Sequence, residues 1–159
     1  MAARDSDKMV MFTDRQIAEY IESLKHDILK VEKHAARLNA EWSKTFPRKP
    51  GCYVVYESGE LVYAGETDNL RRRMGNLRNT TNHVLRRNIG KAKFSKIQDF
   101  EPATSNKKFP AHIEKMLNEY IEEKIKVAVM PVRLGRKELE ETMVREFSCK
   151  YNIRGQKNR

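Results

Sequence analysis

Gly51-Cys52-Tyr53-Val54-Val55-Tyr56-Glu57-Ser58-Gly59-Glu60-Leu61-Val62-Tyr63-Ala64-Gly65 is the stretch that decides the fold. Two runs rich in β-branched and aromatic residues flank Glu57-Ser58-Gly59, the pattern of two strands joined by a hairpin turn. Gly at the third loop position favours a three-residue loop, a type I turn followed by a left-handed residue. That register sets Glu60 opposite Tyr56 and Tyr63 directly opposite Tyr53, so both phenols project to one face. A two-residue loop would send them to opposite faces, because side chains alternate along a strand.

Upstream, Thr13 and Gln16 have the spacing of a capping box. Apolar residues then fall at Ile17, Ile21, Leu24, Ile28, Val31, Ala35, Leu38 and Trp42, alternating steps of four and three. This heptad seam predicts one long helix from Asp14 to about Lys44. Such a seam packs on its own domain or pairs with a second copy; a homodimer through residues 17–42 is the sharper expectation. Pro47 and Pro50 end the helix and form a linker.

Downstream, Asn69 to Leu77 reads as helical and 101–110 as a loop. Ala111 to Lys124 carries Ile113, Met116, Leu117, Tyr120 and Ile121 on one helical face. Lys126 to Val132 is a third strand, with Pro131 at its end or on an edge. Arg136 to Lys150 is a last helix. The expected organisation is a flexible N-terminus (1–12), an N-terminal helix (13–46), a catalytic domain (50–155) with an insertion over 78–110, and a basic tail (156–159). The expected fold is α/β: a small three-stranded sheet, at least partly antiparallel, flanked by helices.

The chain has 159 residues, with 32 Lys plus Arg against 22 Asp plus Glu, a net charge of +10 and a pI near 9.7. Such a balance attracts polyanions, of which nucleic acid is the commonest. No long apolar run, lipidation signal or basic amphipathic anchor supports a membrane partner. The start is polar rather than signal-like, and Cys52 and Cys149 stand far apart with no ligand cluster around them. Both are expected as buried thiols in a reducing cytoplasm. From Arg71 to Lys96 there are nine basic residues and no acidic one. Arg71, Arg72, Arg78, His83, Arg86, Arg87, Lys91 and Lys93 are the candidate DNA-binding residues on this run, with phosphate contacts that confer affinity without sequence preference.

Gly51-Cys52-Tyr53 and Tyr63-Ala64-Gly65 resemble the two signatures that name the GIY-YIG nuclease family. The tyrosines are ten apart; Asn69-Leu70 then lead to Arg73, ten after Tyr63. Leu139-Glu140-Glu141-Thr142-Met143-Val144 resembles the family's glutamate helix, and Tyr151-Asn152 its later asparagine. The resemblance covers residues 51–152 and rests on five elements in order. Cys52 and Ala64 replace aliphatic residues. Glu66 stands where relatives often carry Lys or Gln, which puts any lysine-assisted mechanism in doubt. Leu77 stands where a His is common, and His83 has no spacing that carries that role over.

The resemblance implies a DNA endonuclease dependent on Mg²⁺ or Mn²⁺, of restriction or phage type. In it Tyr53 and Tyr63 position or deprotonate the attacking water, Arg73 clamps the scissile phosphate, Glu140 binds metal and Asn152 braces the site. These residue types suit that work. Mg²⁺ takes oxygen ligands and keeps several waters, and an arginine fork matches phosphate oxygens. A repair or recombination nuclease, and a DNA-binding module without catalysis, are the alternatives. Each residue also has a plainer reading: Tyr53 and Tyr63 as strand aromatics, Arg73 as a generic phosphate contact, Glu140 (or its fallback Glu141) as a helix-dipole partner, Asn152 as a helix C-cap, and His83 as a surface or phosphate-contacting residue. Specific base contacts are expected from the 78–110 insertion.

Overall fold

The hairpin forms the middle and one edge of a four-stranded sheet. The computed structural model describes residues 11–153, so the expected flexible start and basic tail lie largely or wholly outside the described residues. Strands β1 (His34–Ala35), β2 (Gly51–Glu57), β3 (Glu60–Thr67) and β4 (Ile125–Pro131) run in the spatial order β1-β4-β2-β3, with every neighbour antiparallel. The α/β fold is as expected, with one strand more than the sequence suggested. That strand, β1, is two residues long and has too little pattern to be read.

The hairpin loop has two residues, not three. Glu57 pairs with Glu60, and Ser58 (φ 49°) and Gly59 (φ 87°) take the left-handed geometry that suits a tight hairpin turn. By parity alone this loop would point the two tyrosines apart. The ladder then slips: Tyr56 lies opposite Leu61, but Val55 lies opposite Tyr63. Val62 is the extra residue, a β-bulge that cancels the parity change. Tyr53 therefore faces Gly65 rather than Tyr63, and the two phenols still share a face as diagonal neighbours.

Each face of the sheet carries its own core. Cys52, Val54, Tyr56, Leu61, Ala64 and Ala128 pack under helices α1 (Asp14–Lys30) and α6 (Arg136–Phe147), against Ile28, Leu139 and Met143. Tyr53, Val55, Tyr63, Ile125 and Val127 face the other way, toward α3 (Leu70–Gly75), α4 (Val84–Phe94) and α5 (Ala111–Lys124).

This two-sided arrangement breaks the long N-terminal helix. The capping box forms as expected, with Thr13 and Gln16 bonded reciprocally. The helix stops at Lys30, because Val31 turns extended (φ −65°, ψ 143°) and β1 then pairs with β4. Leu24 and Ile28 pack on one face of the sheet, whereas Ala36, Leu38 and Trp42 pack on the other, Trp42 from the short helix α2 (Ala40–Ser43). No straight helix reaches both. The 17–42 seam expected as a homodimer arm is thus divided between two intramolecular cores. The last helix also ends early, at Phe147, where Ser148 takes a left-handed conformation.

Glu57 pins the hairpin tip. Its buried carboxylate accepts hydrogen bonds from Tyr120 (2.6 Å) and Tyr151 (2.8 Å) and pairs with Lys150 (2.7 Å). Burial pushes the Glu57 pKa up, but the bonds from Lys150, Tyr120 and Tyr151 outweigh it and hold the group below its usual value.

Ile28 is fully buried against Leu139 and Met143. Ile28→Ala should lower the unfolding free energy by about 2–5 kcal/mol in a urea titration, through lost transfer energy and an unfilled cavity.

Candidate active site

Among the described residues the outer edge of β3 has no strand neighbour, so its backbone groups need other partners. The chain from α6 onward supplies them. The Tyr151 amide donates to the Val62 carbonyl (3.0 Å). Asn152 accepts from the Ala64 amide and donates to its carbonyl, both at 2.9 Å, as a neighbouring strand would. The Glu140 carboxylate accepts from the Glu66 amide at 2.8 Å. Asn152 therefore braces the strand rather than capping α6. Glu140 is half-buried at this edge, whereas its fallback Glu141 is exposed.

The glycines of the two signatures answer to crowding. A Cβ on Gly51 would lie 2.3 Å from the Met130 carbonyl oxygen, and one on Gly65 would lie 2.4 Å from the Tyr53 phenol. Gly65 thus lets the Tyr53 ring lie across β3. The Asn-Leu pair is equally local in origin. Asn69 caps α3 by accepting from the Arg72 amide (3.1 Å), and Leu70 is fully buried beneath it. The capped turn aims Arg73 inward.

Arg73 Nε donates to the Tyr53 hydroxyl at 3.1 Å, and its Nη1 donates to the Asn82 carbonyl at 3.0 Å. The Tyr53 and Tyr63 ring centres are 6.0 Å apart. Burial raises the Tyr53 pKa well above its usual value and the Tyr63 pKa above its own, with Arg73 pulling both back. Burial alone would lower Arg73, but the two phenol oxygens outweigh it and raise its pKa. Tyr63 also feels the Glu140 charge, which ties the α6 carboxylate to the same site. A polar cleft of about 410 Å³ opens beside Arg73, lined by Glu66, Thr67, Asp68, Arg72, Asn76 and Arg136.

The structure thus brings Tyr53, Tyr63, Arg73, Glu140 and Asn152 to one end of the sheet. The profile of the GIY-YIG catalytic domain matches residues 43–159. The chain belongs to the GIY-YIG family. With membership comes the phosphodiester-hydrolase activity that the resemblance implied. Similar solved structures include the GIY-YIG N-terminal endonuclease domain of UvrC from Thermotoga maritima bound to magnesium, at 16% identity and a TM-score of 0.39, covering 83% of this chain and 98% of that one. A tyrosine-to-phenylalanine point mutant of the same domain, bound to its catalytic divalent cation, gives 16%, 0.39, 83% and 97%. No curated protein sequence matches the chain.

Several expected DNA contacts turn out to be internal. Arg86 is fully buried, paired with Glu114 (2.6 Å) and bonded to Thr80 (2.7 Å) and the Leu77 carbonyl (3.2 Å). Arg87 Nη1 reaches the Thr80 and Thr81 carbonyls, both at 2.9 Å, and Arg71 Nε the Phe46 carbonyl at 2.8 Å. Buried carbonyls of the 77–82 loop need donors, and the arginines provide them. Arg72, Arg78, Lys91 and Lys93 remain at the surface; Arg72 pairs with Asp68 and Lys93 lies 3.9 Å from Glu57. Both thiols are buried, and burial pushes Cys52 up to about 12 and Cys149 up to about 11.

Two residues were undervalued in the sequence. Arg136 lines the cleft, bonds the Thr67 carbonyl and lies 3.6 Å from Glu66. Its place one helical turn before Glu140, on the same face of α6, was the available signal. His83 is fully buried rather than at the surface, with Nε2 3.4 Å from the Tyr53 hydroxyl. Leu77, where relatives often carry His, is a core residue.

Burial, then the charges of Arg73, Arg87 and Arg86, hold the His83 pKa well below its usual value. The folded protein excludes a proton that the unfolded chain binds below about pH 6.5. Stability is therefore full above that pH and falls as pH drops below it, by up to about 1.4 kcal/mol per pH unit. His83→Phe should remove this slope in denaturant titrations between pH 7 and 5. Gly65→Ala should displace the Tyr53 phenol and cut nuclease activity by about 100-fold, with the circular dichroism spectrum unchanged.

Proposed function

We propose that this protein is a divalent-metal-dependent DNA endonuclease whose reacting groups are Tyr53, Tyr63, Arg73 and Glu140. The observation that carries the reading is the convergence of a hairpin, a capped helical turn and a helix from the opposite face on a single polar cleft. A bare DNA-binding module would have no use for two buried phenols, one of them bonded to an arginine.

The donor set fits a small hard cation. Among the described residues no group of three or more His, Cys, Asp or Glu forms a dedicated cage. Mg²⁺ is held by one or two carboxylates while keeping waters, and Glu140 offers an oxygen ligand at the cleft edge. When bound there, the cation would acidify water and neutralise charge developing on the phosphate. Arg73 stays charged throughout, orients the scissile phosphate and stabilises phenolate character on the tyrosines. The tyrosines position the attacking water and take up its proton. Asn152 keeps the edge of β3 in register with Glu140.

Arg72 and Arg136 on the cleft walls suit the flanking phosphates. Base contacts are assigned to the 78–110 segment, where Asn82 and Lys91 are exposed. A restriction-type or phage-related enzyme yields ends at a defined sequence. A repair or recombination enzyme yields ends at a defined DNA structure. Mapping the products on random-sequence DNA separates the two roles.

Incubation with plasmid should give cleavage that requires Mg²⁺ or Mn²⁺ and is lost in Glu140→Ala. Arg73→Ala should abolish cleavage, whereas Arg72→Ala should mainly weaken DNA binding. Equal effects of the two arginine substitutions would refute the assignment of Arg73. DNA binding without nicking under every divalent metal would leave only a binding module.

A further inference from the structure

His83 is fully buried beside the two phenols, 6.1 Å from each ring centre. Its Nε2 lies 3.4 Å from the Tyr53 oxygen, and its Nδ1 has no hydrogen-bond partner among the described residues. An orphaned polar atom in a protein interior costs stability, so its retention calls for a reason. Resting on the endonuclease reading above, we propose that His83 is a positioning residue. Its Nε2–H donates to the Tyr53 oxygen and holds that oxygen in place beside Arg73.

The tautomer follows from the surroundings. The imidazole is buried, Arg73, Arg86 and Arg87 bring positive charge to it from α3 and α4, and Tyr53 meets it edge-on and Tyr63 at a tilt, so the ring is neutral with one N–H. A proton on Nδ1 would be a buried N–H without an acceptor, the rarest kind of orphan; a proton on Nε2 leaves only a lone pair unpartnered. The Tyr53 oxygen then receives N–H bonds from His83 and from Arg73 Nε. With both lone pairs engaged, the Tyr53 oxygen is held from two sides, by α3 and by the residue that opens α4. Two N–H donors on one oxygen favour negative charge there, so both bonds support that oxygen as a proton acceptor. His83 neither gains nor loses a proton in this arrangement. It fixes where the Tyr53 oxygen lies.

The test uses the full chain with His83→Phe, which keeps a ring without a donor, and His83→Gln, which keeps an amide donor. For plasmid cleavage, His83→Phe should lower kcat by at least about tenfold. Its KM and DNA affinity should stay within about twofold, and its stability should be equal or higher. The pH profile of kcat should shift to higher pH as Tyr53, deprived of a donor, becomes harder to ionise. His83→Gln should recover most of the loss. Independently of activity, ¹⁵N spectra of the imidazole should show the proton on Nε2 and a neutral ring as pH falls through about 6.5. A wild-type kcat in His83→Phe, a parallel loss of kcat, affinity and stability without recovery in His83→Gln, or a proton on Nδ1 would each overturn the proposal. Absence of metal-dependent cleavage by the unsubstituted protein would instead overturn the endonuclease reading and this one with it.

Discussion

Val62 occupies one strand position that has no counterpart on the facing strand, and the direction of the Tyr63 side chain depends on it. The Ser58-Gly59 turn sets a register in which Tyr53 and Tyr63 would lie on opposite sides of the sheet. One inserted residue reverses that parity. Both rings then enter the same core, where Arg73 meets them. The bulge is held in place from outside as well, because the Val62 carbonyl receives the Tyr151 amide.

The exposed edge of β3 carries the second half of the site. Edge strands present unpaired amides and carbonyls that must find partners. Here those partners are Glu140, Tyr151 and Asn152, from α6 and the residues beyond it. Satisfying the edge is thus the same act as delivering the carboxylate to the phenols. Glu57 reinforces this from the hairpin tip by holding Lys150 and Tyr151, the two residues before Asn152. Structural and chemical roles share one set of bonds, so changes at this edge will perturb both.

Charge alone is a poor guide to the DNA surface of this protein. The acid-free run from Arg71 to Lys96 has the composition of a phosphate-binding face. Part of its purpose is internal: Arg73, Arg86 and Arg87 each reach carbonyls of the 77–82 loop. A guanidinium has several donors and a long stem, so it serves a buried loop as readily as a phosphate. That loop, gripped from within, is what presents His83 to the tyrosines.

The sequence by itself determined the elements whose causes are local. The Thr13 capping box, the helical turn from Asn69 that carries Arg73, the two strands of the 51–65 hairpin and the helix Ala111–Lys124 all follow from neighbouring residues and appear as expected, although the hairpin's loop length and register differ. Of the candidate site residues, Tyr53, Tyr63 and Arg73 were legible because each sits at a fixed offset within such an element, and Glu140 and Asn152 by their spacing from one another. Tertiary structure alone decided the rest. Whether the 17–42 seam stays helical depends on two cores lying on opposite faces of a sheet that is built from distant segments. Whether Arg86 and His83 meet solvent depends on how a loop folds over α4 and α5. Burial and register are properties of contacts between remote segments, and no spacing within one segment encodes them.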